Sequence, residues 1–321
     1  MTTATRTVLV TALGPAIWGT TYYVTTEWLP SGYPVLDGAI RALPAGLVLL
    51  ALRWQRPQGI WWLRLAVLGL LNVGLFFPLL FVAAQRLPGG VAGAVGAAQP
   101  LLVLLLSRVM LGARITAAEI GAGVVGVLGV SLLVLRASGG VDPIGLLAIA
   151  TGTALMAFAV VLAKRWGPPP MPAVTLTGWM LLFGGAMLAP FALATEGLPS
   201  SLSLGNALGY VYLAAFGGAL SYFAWMNGIS RLPAPAVSFL TLVNPVVAAT
   251  LGWVGLHQSL NALQLTGMAI AFGALIAGQR LTRPATRPTV APARMVSCQP
   301  TLHSPQRAIS RSRPPAVSPL D

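Results

Sequence analysis

Residues 86–100 read RLPGGVAGAVGAAQP, and residues 231–245 read RLPAPAVSFLTLVNP. Each stretch opens Arg-Leu-Pro and closes on a side-chain amide followed by proline, at a constant offset of 145 residues (231 against 86). The likeness extends outward. FFPLLFVAAQRLP (76–88) lies over SYFAWMNGISRLP (221–233), which sets Phe77 on Tyr222. AGVVGVLGV (122–130) lies over TGMAIAFGA (266–274) once one loop residue is dropped, which sets Gly123 and Gly129 on Gly267 and Gly273. Upstream, IWGTTYYV (17–24) falls on LMAFAVVL (155–162), and IRALPAGLVL (40–49) on GWMLLFGGAM (178–187). The chain reads as one unit written twice.

Of the 321 residues, 56% are hydrophobic and 8% charged, against roughly a quarter charged in a soluble domain. Ten mostly apolar runs are long enough for a hydrocarbon core about 30 Å thick: 8–28, 35–52, 62–84, 91–111, 117–135, 144–165, 172–193, 206–229, 234–256 and 261–279. The expected fold is an all-α polytopic membrane protein of ten transmembrane helices. The first run carries Trp18, Tyr22 and Tyr23 and has no small-residue cleavage site, so it reads as a span and not as a signal peptide. The single cysteine, Cys298, excludes an internal disulfide. From residue 280 to Asp321 the chain turns Pro-, Ser- and Arg-rich, a composition expected to stay disordered. That tail is either a passive extension or a basic arm attracted to anionic lipid.

Net charge +13 suggests nucleic acid in a soluble protein, but the distribution of charge gives orientation instead. With the N-terminus inside, cytoplasmic positions hold Arg6, Arg53, Arg56, Arg64, Arg108, Arg114, Lys164, Arg165 and Arg231, together with every arginine from Arg280 onward. The other side holds Arg86 and Arg136, with Glu27, Asp37, Asp142 and Glu196 on or near it. The positive-inside rule then puts both termini in the cytoplasm, in a cell (inner) membrane. No nucleic-acid partner is expected.

Five spans per copy is an odd number, so the second copy enters the membrane upside down, with Arg86 outside and Arg231 inside. Inverted repeats of this kind typify secondary transporters, in which exchanging the conformations of two equivalent halves gives alternating access. A channel or a membrane enzyme has less need of the symmetry, although duplication alone excludes neither. The expected domains are 8–135 and 144–279, one five-helix repeat each, followed by the tail 280–321.

ALGPAIWGTTYYVTTEWLP (12–30) followed by LDGAIRALPAGLVLLAL (36–52) resembles the opening of EamA-type members of the drug/metabolite transporter superfamily. The Arg-Leu-Pro and Gly-rich segments resemble the fourth and fifth spans of its half-repeats. The resemblance covers about residues 8–279 and implies ten spans, cytoplasmic termini and export of amino acids, metabolites or drugs. Within the family, the Trp-Gly-Thr-Thr-Tyr opening and RALPAGL look closest to the subgroup of blue-pigment (indigoidine) exporters. The chain departs from the family where many members place a glutamate after the fourth span of each repeat, since Ala113 and Gln258 stand there.

No HExxH, nucleotide-binding loop, Gly-x-Ser-x-Gly or paired intramembrane carboxylate occurs. The expectation is therefore no enzyme activity, no cofactor and no metal. Arg41 is the one ionisable residue well inside a span. Asp37 precedes it by one turn, a spacing at which the two can pair on one helix face. The pair is either a structural ion pair or an anion contact and gate. Gln99 and Asn244 are the matched amides, each before a helix-kinking proline, Pro100 or Pro245. Each amide either satisfies the carbonyl that its proline frees or points into a central cavity. Asn72 is a further candidate without the symmetry. Trp18 and Tyr22 share a face of the first span, Tyr222 and Trp225 share one in the eighth, and Phe77 and Phe158 add aromatics at depth. These rings either line a pocket for planar solutes or pack against lipid and core. Glycine- and alanine-rich faces near Gly126 and Gly267 pack within the bundle or form a homodimer seam.

The expected function is export of a small organic solute across the cytoplasmic membrane by alternating access. The alternative is a non-transporting membrane scaffold or sensor with the basic tail as its interaction arm. The partners would be the solute, the lipid bilayer and, in a dimer, a second copy.

Overall fold

The computed structural model describes residues 3–87, 89–134, 142–255 and 262–282, and every regular element within them is a helix. The chain begins with α1 (Thr3–Gly19), α2 (Thr21–Trp28) and α3 (Pro34–Leu52). A long rod follows, in which α4 (Trp61–Gly69) passes through a wide π-helical stretch, Leu70–Leu75, into α5 (Phe76–Arg86). Next come α6 (Gly89–Gly96), α7 (Gln99–Leu111) and α8 (Ala117–Val134).

The second series opens with α9 (Pro143–Arg165) and α10 (Ala173–Thr195). A second rod runs from α11 (Leu204–Tyr212) through a π-helical stretch, Leu213–Leu220, into α12 (Ser221–Arg231). Last come α13 (Ala234–Phe239), a 3-10 turn (Leu240–Leu242), α14 (Val243–Gly255) and α15 (Ala262–Leu281). Among the described residues five helices are long and apolar enough to cross a membrane: α3, the rod Trp61–Arg86, α9, α10 and the rod Leu204–Arg231. Shorter apolar helices accompany them, including Gln99–Leu111, Ala117–Leu132 and Leu265–Leu281.

The packing is largely reciprocal. α3 lies along α10, and α8 along α15. α1 packs on α12 as α9 packs on α5, and α1 meets α14 as α9 meets α7. α3 touches the stretch Leu213–Leu220, just as α10 touches Leu70–Leu75. Small residues allow these crossings. A Cβ on Gly46 of α3 would lie 2.7 Å from the Leu182 backbone nitrogen of α10. A Cβ on Gly129 of α8 would lie 2.7 Å from that of Ala271 on α15. The Gly126 and Gly267 faces are thus engaged with each other's neighbourhoods inside the bundle.

The structure differs from the expected spans in identifiable places. The run 8–28 is two helices, broken at Thr20, whose hydroxyl turns back to the Ile17 carbonyl (2.7 Å). The runs 91–111 and 234–256 are also interrupted, at Ala97–Ala98 and at Leu240–Leu242. Pro100 and Pro245 stand just after these interruptions, the second of them a 3-10 turn flanked by helical backbone on both sides. Each sits in the first turn of α7 or α14, where a missing N–H costs nothing, and the break lies before it. α15 runs through Arg280 to Leu281, two residues into the segment expected to be disordered. The rest of that segment, from 283, lies outside the described residues, as do Arg136 and Gln258.

Polar side chains finish several helix ends. Glu196 accepts from the Val35 and Leu36 amides at the start of α3 (3.0 and 2.9 Å), a carboxylate placed at the positive end of a helix. Asp142 caps α9 through the Gly145 amide (2.8 Å) and pairs with Arg86 at 3.2 Å. The Gly145 N–H above all, and Arg86 after it, hold the Asp142 carboxyl below the usual carboxylate range. A lowered native pKa means that this cap contributes at neutral pH and is lost as pH falls through the native value. Hydrogen exchange at the Gly145 amide is expected to speed up several-fold in Asp142→Ala at neutral pH. The wild-type chain should show the same loss of protection, measured against the intrinsic exchange rate at each pH, only in acid. Equal exchange in both chains at neutral pH would remove Asp142 as the cap.

Candidate functional site

An open cleft, about 600 Å³ when the solvent at its mouth is included, lies where α1, α2, α3, α5, α6, α7, α9 and α14 converge. Trp18, Tyr22 and Phe76 form its aromatic wall. Gln99 and Asn244 face it from the starts of α7 and α14, because the helix breaks before Pro100 and Pro245 turn these first-turn positions inward. Arg41 reaches it from α3. The cavity occupies the half of the bundle near the ends Trp28, Arg86 and Pro143. In the opposite half α1 closes on α12. A Cβ on Gly14 would meet the Ser221 carbonyl at 2.9 Å, and Gly228 lies directly against Thr11.

The two amides are incompletely satisfied. Gln99 Nε2 and Asn244 Oδ1 are buried without a hydrogen-bond partner. An orphaned polar atom of this kind costs about 1–3 kcal/mol, so one donor and one acceptor beside the cavity lack a partner, each atom being covered in this state.

Behind the aromatic wall stands a dry layer. Trp18 packs on Tyr222 and Trp225 with ring centroids 5.0 and 5.2 Å apart, and its indole N–H donates to Ser221 Oγ (2.8 Å). Tyr222 and Phe77 are fully buried and meet edge to face at 5.6 Å. The Tyr222 hydroxyl donates to the carbonyl of Asn72 (3.0 Å), in the first π-helical stretch. At the position 145 residues on (72 against 217), the Gly217 carbonyl of the second π-helical stretch accepts from Arg41 Nε and Nη2 at 3.1 and 2.8 Å. A π turn withdraws a carbonyl from its i+4 amide. In each stretch a side chain from elsewhere takes that place.

Asp37 and Arg41 do not pair, contrary to their spacing. The guanidinium turns toward the Gly217 carbonyl and Thr21 Oγ1 (3.5 Å) and lies over the Phe77 ring, 4.7 Å from its centroid. The Asp37 carboxylate instead accepts from Tyr210 Oη at 2.9 Å. The expected rings also divide. Trp18 and Tyr22 line the cavity, whereas Phe77, Tyr222 and Trp225 support it from behind. Asn72 donates to the Leu68 carbonyl of its own rod (3.0 Å) and does not reach the cavity. Phe158 faces outward, 37% exposed. It follows Met156 by two residues, a turn of roughly 200° away from the cavity face.

Ile149, Thr153 and Met156 of α9, and Thr241 before α14, line the cavity without having been singled out from the sequence. The repeat contained a signal for two of them. Its offsets set Met156 opposite Trp18 and Thr241 opposite Gly96, and all four line this one cavity together with the pair Gln99 and Asn244. A second cavity, about 580 Å³, opens near the other ends of α4, α9 and α12 between Trp61, Lys164, Trp166 and Met226. Beside it Arg64 lies between the Trp61 and Trp166 rings, 5.0 and 5.5 Å from their centroids.

A helical bundle with an amide-lined cavity suits solute transport, and comparison with known proteins identifies the class. The model of the EamA-like transporter family matches the chain twice, over residues 5–135 and 143–277, and the chain belongs to that family. It is similar to Protein PecM of Dickeya dadantii, with 43% identity over 285 residues covering 88% of this chain and 96% of that one. It is also similar to the uncharacterized inner membrane transporter YedA of Escherichia coli K12, with 31% identity over 81% of this chain and 86% of the relative. A solved crystal structure at 22% identity shares the fold with a TM-score of 0.72, covering 87% of this chain and 98% of its own. The chain is a membrane transporter.

Proposed function

We propose that the protein is a ten-span exporter of the cytoplasmic membrane, with both termini inside. It is built as two inverted five-helix repeats over 8–135 and 144–279, and it moves a small organic solute by alternating access. The observation that carries this reading is the cavity, where equivalent residues of the two repeats meet: Trp18 with Met156, Gly96 with Thr241 and Gln99 with Asn244. A solute held between two interchangeable halves is what alternating access requires. The reciprocal packing of the helices and the paired π-helical stretches at Leu70–Leu75 and Leu213–Leu220 support the same symmetry. With Arg86 outside, the cavity half of the bundle is the outer one, and the contact of α1 with α12 seals the cytoplasmic side.

The test is metabolite profiling of medium and cytosol in cells with and without the protein, and in cells carrying Trp18→Ala or Asn244→Ala. A solute exported by the wild type should be retained in both variants while their membrane levels stay unchanged. Normal efflux by both variants would sink the assignment of the cavity as the transport site.

A further inference from the structure

We infer that the solute this cavity carries is an organic anion, a molecule with a flat ring and a single carboxylate whose charge Arg41 meets. The inference rests on the reading of the cavity as the transport site. Among the described residues lining it, Arg41 is the one side chain charged at neutral pH, and no carboxylate faces it.

Arg41 as a whole residue is 1% exposed. Its guanidinium has five N–H groups and makes three hydrogen bonds, all to neutral oxygens of Gly217 and Thr21. Two N–H groups remain. The acid placed to neutralise it, Asp37, is turned to Tyr210, and the one ion pair among the described residues is Arg86 with Asp142. A buried cation without a counter-ion is costly to maintain. In a cavity of low dielectric it attracts an anion and repels a cation far more strongly than it would in water. Its fork of donors suits a planar carboxylate.

The remaining surfaces describe the rest of the molecule. Trp18, Tyr22 and Phe76 offer ring faces and edges to a flat body. Gln99 Nε2 and Asn244 Oδ1 would pair with an acceptor and a donor on it, or with a water that it holds. One cation matches one negative charge, which separates this site from one built for phosphate monoesters or polyphosphates, where several cations gather.

The experiment uses the full-length protein in lipid nanodiscs and three probes of one shape: 2-naphthoate, 2-naphthamide and 2-naphthylmethylamine. Calorimetric titration of the wild type is expected to show naphthoate binding about tenfold or more tighter than the amide, with the amine weakest. Arg41→Gln should bind carboxylate and amide equally, and Arg41→Lys should retain the preference for the carboxylate. Amide or amine binding as tightly as naphthoate in the wild type would overturn the inference, and so would failure of all three to bind. A preference that survives Arg41→Gln would also overturn it. The wild-type comparison stands even where a variant fails to fold. An anion preference together with normal efflux by both Trp18→Ala and Asn244→Ala would sink the transport site and leave the anion site standing. The reverse pair of results would leave transport and remove the anion.

Discussion

Gln99→Leu is expected to abolish transport and to make the protein more resistant to heat. In the structure Gln99 is 5% exposed and its Nε2 has no partner. Such a group costs about 1–3 kcal/mol in the resting protein, and leucine removes that cost while nearly filling the same volume. If the amide were there to satisfy the backbone beside Pro100, the substitution would instead destabilise. The two outcomes have opposite signs, so one melting experiment in detergent separates them. Efflux per protein molecule should fall at least about tenfold, equivalent to about 1.4 kcal/mol of lost solute interaction. A variant that melts lower and still transports would return Gln99 to a structural role.

Trp225→Ala should be the most damaging truncation in the layer behind the cavity. Its side chain is fully buried, and Trp18 rests edge-on against it at 5.2 Å. Emptying a site of this size costs about 3–5 kcal/mol, and Trp18 would lose the surface that holds it against the cavity. Transport and stability should fall together, measured by efflux and by thermal unfolding. Trp225→Phe is the informative partner. The indole N–H of Trp225 is buried with nothing to bond, so phenylalanine gives up little beyond that orphan and part of the packing. It should cost clearly less than the alanine variant, about 1–2 kcal/mol, because the smaller ring empties only part of the indole's volume. Equal damage from both substitutions would mean that the ring's shape, and not its bulk, sets the wall.

What the sequence disclosed follows from what leaves a periodic or repeated trace. Apolar runs of membrane length, the asymmetry of arginines and the matched Gln99-Pro100 and Asn244-Pro245 pairs are local patterns, and they led to the helical bundle and to the amides at the cavity. Helix breaks were harder to see, because Thr20 and Ala97–Ala98 carry no residue that forbids a helix. The partner of Arg41 was not legible at all. It is a backbone carbonyl at Gly217, released by a π turn, and neither the turn nor the carbonyl has a signature in residue types. The acid four positions away made an ion pair the natural expectation. Yet Tyr210, 173 residues beyond Asp37, was the nearer partner in space. Phe158 misled for another reason. An aromatic at depth reads the same from either face of a helix until one knows which face the neighbours occupy.

The Gly217 carbonyl takes the Arg41 guanidinium from α3 and also the Ser221 hydroxyl, which in turn receives the indole N–H of Trp18 from α1. α3 and α12 therefore meet at one oxygen atom, and α1 joins them one hydrogen bond away, at Ser221 Oγ. If α1 withdraws, Ser221 is freed to rotate, and the oxygen it shares with Arg41 changes its hold on α3. If α3 withdraws, the same oxygen tightens on Ser221 and, through it, on Trp18. The wall that would touch a solute and the charge that would meet it are therefore joined by one run of hydrogen bonds. A chain of hydrogen bonds thus links α1 to α3 through the Ser221 hydroxyl and the Gly217 carbonyl.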